Sequence, residues 1–195
     1  MEVKDAVPPR TKITKEQIVD AAVAIVREKG LGRLNARETA QKLGCSTQPV
    51  MYHFATIEDL KKAAWAQADQ QHSQYLMNVS PGEDPILGIG LNYIRFAVEE
   101  PQLFRFLFQS GYSEENNLPD MIDSEELKPV LAAMQEGSGL DGKQTRQVFL
   151  TVALFAHGYA SILANNALEY DEALIAEHLE QAWNGAVMAA QEERT

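Results

Sequence analysis

Thr47, Gln48, Tyr52 and His53 fall within seven consecutive residues, beside two apolar anchors, Val50 and Phe54. Their types suit the edges and backbone of duplex DNA. A Gln carboxamide pairs with an adenine edge, and a Thr side chain meets the thymine methyl. A phenol or an imidazole bonds phosphate oxygens, which positions a protein on the duplex without reading its sequence. Gln48 and Thr47 are therefore candidate base contacts, Pro49 an apolar contact, and Tyr52 and His53 candidate phosphate contacts. Arg37 is placed to reach a guanine or the backbone, and Ser46, Asn35 and Lys12 complete the candidate set. The competing reading is that the same groups merely cover the surface of a small helical bundle.

Two short helices and a tight turn would position these groups. Ala36, Thr39, Ala40 and Leu43 give the first helix a small, packable face. Gly44 supplies a permissive backbone at its end. Ser46 suits the N-cap of the second helix, and Pro49 at its third position removes no intrahelical N–H bond. Upstream, Thr14 to Gln17 has capping-box spacing, and Ile13 with Ile18 can form a hydrophobic staple. Ile18, Ala21, Ala22, Ile25 and Val26 recur at helical period until Gly30. Three helices in about fifty residues can bury one small core, one that does not need the polar face of the third helix.

The pattern resembles the N-terminal DNA-binding domain of the TetR-type bacterial transcriptional regulators. Ala21-Ala22, Lys29-Gly30, Arg37-Glu38, Ala40, Gly44-Cys45-Ser46 and Tyr52-His53-Phe54 carry the resemblance, which covers residues 12 to 66. Beyond that it rests on helical layout. Three positions depart from the family pattern. Met51 stands where an aromatic phosphate contact is usual, Thr39 where a large aliphatic is, and Ile57 where a lysine is.

Charge distribution agrees with a DNA-facing head. The 195-residue chain has a net charge of −11, but residues 1 to 54 hold nine Lys/Arg against six Asp/Glu, an excess of +3. The remainder carries −14. Charges more than a Debye length apart, about 8 Å at physiological salt, are largely screened, so the acidic body leaves a local basic surface usable. No apolar leader opens the chain, and the single Cys45 excludes an intrachain disulfide, so a cytoplasmic protein is expected. Cys45 is expected to be a buried structural thiol. Thr151 to Leu168, the most apolar stretch, is interrupted by His157, Asn165 and Asn166 and reads as a buried helix, with no membrane partner expected.

The expected fold is all-α with about nine helices. Residues 1 to 11 form a flexible basic arm, 12 to 55 the helix-turn-helix domain, and 56 to 195 a helical effector-binding and dimerisation domain. Thr56 caps a fourth helix running to about Asn78, tied to the head by Leu60, Ala63, Ala64 and Trp65. Further helices are expected at Pro85 to Glu99, from Pro101, at Glu125 to Glu136, at Lys143 to Asn166 and at Asp171 to Gln191. The last two suit a four-helix homodimer seam through Phe155, Ile162, Leu179, Ala182, Trp183, Ala186 and Val187. A central core helix is the alternative.

Four histidines show no close metal-ligand spacing, no nucleophile motif or phosphate loop stands out, and neither enzyme nor cofactor is expected. The resemblance implies that some aromatics of the second region line an effector cavity. Tyr93, Phe96, Phe104, Phe108, Phe149, His157 and Tyr159 are the candidates, with His157 either a satisfied core histidine or a ligand contact. An acidic, aromatic-rich body suits an apolar or cationic small molecule. These readings imply a ligand-responsive repressor that binds a pseudo-palindromic operator as a dimer. The alternative is an all-α protein-interaction module that no longer binds DNA.

Overall fold

A computed structural model describes residues 13–82, 84–113, 127–166 and 168–192. Among them are nine α-helices and no strand. The chain divides into two compact units, Met1–Ala64 and Trp65–Thr195. The flexible arm and Lys12 lie outside the described residues.

The first unit holds α1 (Lys15–Lys29), a single 3-10 turn (Leu31–Arg33), α2 (Ala36–Lys42), α3 (Thr47–His53) and the start of α4 (Ile57–Met77). The Thr14 hydroxyl accepts from Gln17 N at 3.3 Å while Gln17 Oε1 accepts from Thr14 N at 3.0 Å, a reciprocal capping box. Gly30 ends α1 with φ 80°, and Gly44 turns the chain out of α2 with φ 65°, a left-handed conformation that a Cβ would strain. Ile18, Ala22, Ile25, Val26, Val50 and Leu60 form an aliphatic core. Thr39 is buried among them, and its hydroxyl donates to Asn35 O at 2.9 Å, so this small core leaves that polar group satisfied.

The second unit is built from the rest of α4 with α5 (Pro85–Glu99), α6 (Pro101–Gln109), α7 (Lys128–Ser138), α8 (Gly142–Asn165) and α9 (Glu172–Glu192). Asp84 caps α5 through Ile86 N and Leu87 N, with Pro85 in its first turn. Asp141 and Gln144 form a second capping box at α8. α7 begins at Lys128, later than expected; Glu125 and Glu126 lie outside the described residues, and left-handed Gly139 ends it. α8 packs along α5, α6, α7 and α9. Trp65, read as an anchor of the head, belongs to the second unit, where its indole N–H donates to Leu107 O at 3.3 Å.

Two expectations fail on burial. By length and composition α8 could cross a membrane, yet only 28% of its most apolar window is buried within the chain. It is not a fully buried helix. Leu154, Phe155 and Ile162 are exposed along it, because α5 and α9 cover only part of a helix that is apolar on more than one face. Cys45 is half-buried rather than buried, since the turn after Gly44 lies at the surface of so small a unit.

Candidate nucleic-acid interface and aromatic cluster

The two faces of α3 separate sharply. Val50 and Phe54 are buried, while Thr47, Gln48, Met51 and Tyr52 are exposed, Tyr52 at 79%. Leaving so large an aromatic in water gives up apolar burial, and here it leaves a contact group on a short polar face. Pro49 is half-buried at the helix edge. Met51, a departure from the family pattern, shares the exposed face with them, as its spacing from Thr47 and Gln48 requires.

The flanking candidates are positioned by local hydrogen bonds. Asn35 caps α2, accepting from Arg37 N and Glu38 N at 3.0 Å each, and its Nδ2 donates to Arg33 O at 3.1 Å. Its carboxamide is thereby committed largely to the cap. His53 Nε2 donates to the carbonyl of Ile13 at 3.1 Å, which selects the Nε2–H tautomer and ties the end of α3 to the start of α1. That nitrogen is therefore engaged within the chain. Ser46 holds the N-cap position of α3 without a side-chain capping bond. Arg37 is exposed, and with Gln41, Cys45, Ser46 and Thr47 it borders a concavity of ≈ 450 Å³ beside the reader helix. Gln41 carried no motif and was missed.

Part of the basic excess is neutralised internally. Glu38 holds Lys29 Nζ at 2.8 Å and Arg33 at 2.9 Å, and Glu28 holds Lys42 Nζ at 2.7 Å. The Lys29 hydrogen bond keeps the Glu38 carboxyl below the usual carboxylate range. Arg37 enters none of these pairs among the described residues.

In the second unit the seven candidate effector residues part company. Tyr93, Phe96, Phe104, Phe108 and His157 form one ring cluster, with centroids 4.8–6.2 Å apart once His72 is included. Phe149 lies elsewhere, against the core of Val130, Met134, Leu140, Val148 and Ala190. Tyr159 faces His178 and Phe155 on the α8/α9 surface. Helical period explains the parting: on α8, Phe149 and His157 lie two turns apart, and Tyr159 points to another side.

His72 is the member that sequence reasoning missed. It is 6% exposed, touches Phe96, Phe108 and Tyr93, and its Nε2 has no hydrogen-bond partner among the described residues. A buried polar group left unmatched costs about 1–3 kcal/mol. Burial alone pushes its pKa down to about 4, so the ring is neutral near pH 7. Tyr93 Oη bonds His157 Nδ1 at 2.8 Å, and His157 Nε2 approaches Ser161 Oγ at 3.4 Å. Burial raises the Tyr93 phenol and lowers the His157 imidazole, keeping both neutral. His157 is thus a half-buried, hydrogen-bonded histidine at the edge of the cluster.

The α8/α9 surface carries a groove of ≈ 700 Å³ lined by Leu154, Phe155, Gly158, Tyr159, Ile162 and Ala182, with His178 and Gln181. Of the expected seam residues, Phe155 and Ile162 are exposed there. Leu179 is instead buried within the chain, its methyl 3.3 Å from where a Cβ on Gly90 would stand. Trp183, Ala186 and Val187 pack half-buried against the Val130–Met134 core. Their stripe faces inward because α9 must close that core.

A family model described as "Tetracyclin repressor-like, C-terminal domain" matches residues 86–184. A tetR-family transcriptional regulator from Streptomyces coelicolor superposes with a TM-score of 0.65 at 15% identity, covering 92% of this chain and 82% of that one. A TetR variant from Acinetobacter baumannii AYE, in complex with minocycline, gives 0.62 at 18% identity over 92% and 99%. The multidrug binding protein EbrR, complexed with imidazole, gives 0.54 at 21% identity over 86% and 93%. At such identities the likeness carries the fold alone. No curated protein sequence matches the chain.

Proposed function

Because the chain belongs to the TetR-type family of transcriptional regulators, we propose that it is an effector-released repressor that binds a pseudo-palindromic operator as a homodimer. The observation that carries the proposal is the division of α3: Val50 and Phe54 anchor it while Thr47, Gln48, Met51 and Tyr52 are left outward. A helix so presented suits the major groove, with two half-sites one helical turn apart matched by a two-fold dimer. Gln48 and Thr47 read bases, Tyr52 and Arg37 bond the backbone, and Ser46 and Asn35 contribute at the helix starts.

The exposed apolar strip of α8 supports the dimer. Leu154, Phe155 and Ile162 lie beside Gly158, over which nothing stands within 4 Å, so a second helix can approach closely. Related folds holding minocycline or ethidium support a small-molecule effector. Release then follows if the effector favours a state with lower operator affinity, and operator must weaken effector binding by the same factor.

Selection of bound sites from random duplex DNA tests the proposal. A two-fold-related site should be enriched, and log K should fall with log salt by about 0.9 for each phosphate contacted. Gln48→Ala should reduce discrimination at one base position in each half-site by about 1–3 kcal/mol. Salt-independent binding with no enriched site would leave a protein-interaction module as the better reading.

A further inference from the structure

We propose that the cluster of His72, Tyr93, Phe96, Phe104, Phe108 and His157 is the recognition centre of the effector site, and that it takes an electrically neutral, planar aromatic molecule whose hydroxyl hydrogen-bonds His72 Nε2. This inference rests on the effector-responsive reading above and adds the ligand's chemistry to it.

Three observations specify that chemistry. First, His72 Nε2 is buried and has no partner among the described residues, so the cluster holds one unmet hydrogen bond among aromatic rings. Native interiors rarely leave such a group unmatched, and a ligand is one of the things that matches it. Secondly, the neighbours are rings. Phe96 lies 4.8 Å from the His72 centroid and Phe108 5.3 Å, while Phe104 stacks on His157 with planes 29° apart. Aromatic faces and edges pair favourably with a further flat ring. Thirdly, no charged group among the described residues acts on His72. Burial is the sole influence on its protonation, and its ring contacts among the described residues are Tyr93, Phe96 and Phe108. A carboxylate ligand would lack a cationic partner there and a cationic ligand an anionic one, and either would lose its hydration.

The hydroxyl follows from the imidazole. A neutral ring presents either an N–H or a lone pair at Nε2, according to tautomer. A hydroxyl complements both, since it donates and accepts. The nearby Tyr93 phenol is already bonded to His157, which leaves His72 as the group that must be satisfied. Phe108 and His157 are half-buried, unlike Phe96 and Phe104, so a ring enters from their side of the cluster.

The test titrates the full-length protein with β-naphthol, naphthalene, β-naphthoate and N-methylquinolinium, following affinity by calorimetry and His72 by its imidazole 15N resonance. β-Naphthol should bind about tenfold more tightly than naphthalene, the worth of one satisfied buried hydrogen bond, and should shift the Nε2 signal. His72→Phe should keep naphthalene binding and erase the tenfold advantage. Equal affinity for β-naphthol and naphthalene, tightest binding of the cation or the anion, an unmoved His72 signal, or no binding at all would each overturn the inference. The 15N readout uses the unaltered chain, so a His72→Phe variant that fails to fold does not spare it. β-Naphthol that binds through His72 yet leaves operator affinity unchanged supports the ligand class and overturns the effector reading. Operator release by β-naphthol without dependence on His72 overturns the ligand class alone.

Discussion

In the first unit the outward residues of α3 include Thr47, Gln48 and Tyr52 beside Met51, whereas in the second the outward residues of α8 include the apolar Leu154, Phe155 and Ile162. The interiors contrast as well. The first unit packs aliphatic side chains around a Thr39 whose hydroxyl is bonded. The second gathers aromatic rings around a His72 whose Nε2 is not. A short polar helix face needs no cover and is free to meet a charged polymer. A long apolar strip has to be covered, and an aromatic core with one unmet hydrogen bond is not arranged for stability alone. Where local rules are broken, as at Tyr52, Ile162 and His72, function is the usual reason.

The largest expected effect falls on the apolar strip. Ile162→Glu places a charge on a residue that is 55% exposed in the single chain, so folding of the monomer should be unaffected. If that strip is the seam, each charge becomes buried against its symmetry mate, at about 3–5 kcal/mol. Sedimentation should show folded monomer with unchanged helicity. A dimer of unaltered affinity would move the seam away from α8 and blunt the contrast.

Acid should distinguish the two interiors. Above about pH 6.5 His72 is neutral folded or unfolded and adds no pH dependence. As the pH falls below that value the unfolded chain takes up the proton first, because burial holds the folded pKa near 4. The stability contribution is therefore progressively lost, by about 2 kcal/mol between pH 7 and pH 5. His157 acts in the same direction. His72→Phe should flatten most of that slope in thermal melts monitored on the second unit. An identical slope in the variant would mean that His72 is solvated in the native state.

The smallest effect tests whether the first unit is held by local bonds. Asn35→Ala removes the acceptor of Arg37 N and Glu38 N and should cost about 1 kcal/mol of stability in chemical denaturation. If Asn35 acts mainly on DNA, operator affinity will fall while the denaturation midpoint stays put.

Local signals made the first unit readable. The Thr14–Gln17 box, Gly30, Gly44 and the Val50/Phe54 anchors lie within a few residues of the bonds they make, and the observed helices begin and end on them. Helix limits in the second unit were equally legible where a residue marked them, as at Pro85. Facing was harder to read. Leu179 shows the same apolar period as a seam would, yet it is buried within the chain; Trp183 packs half-buried against the Val130–Met134 core, and Leu154, which no seam expectation included, turns outward. Period states that a helix has an apolar stripe; it does not state which neighbour covers it.

By itself, then, the chain determined its helices, its caps, the polarity of α3 and the absence of an intrachain disulfide, since each depends on residue type and on neighbours within a turn or two. Tertiary structure alone decided that His53 bonds Ile13, that His72 joins Phe96, Phe108 and Tyr93 with its Nε2 unmatched, and that Phe149 and Tyr159 leave that cluster for other surfaces. Those relations join residues from separate helices, and the rotation of each helix is set by packing against all its neighbours at once.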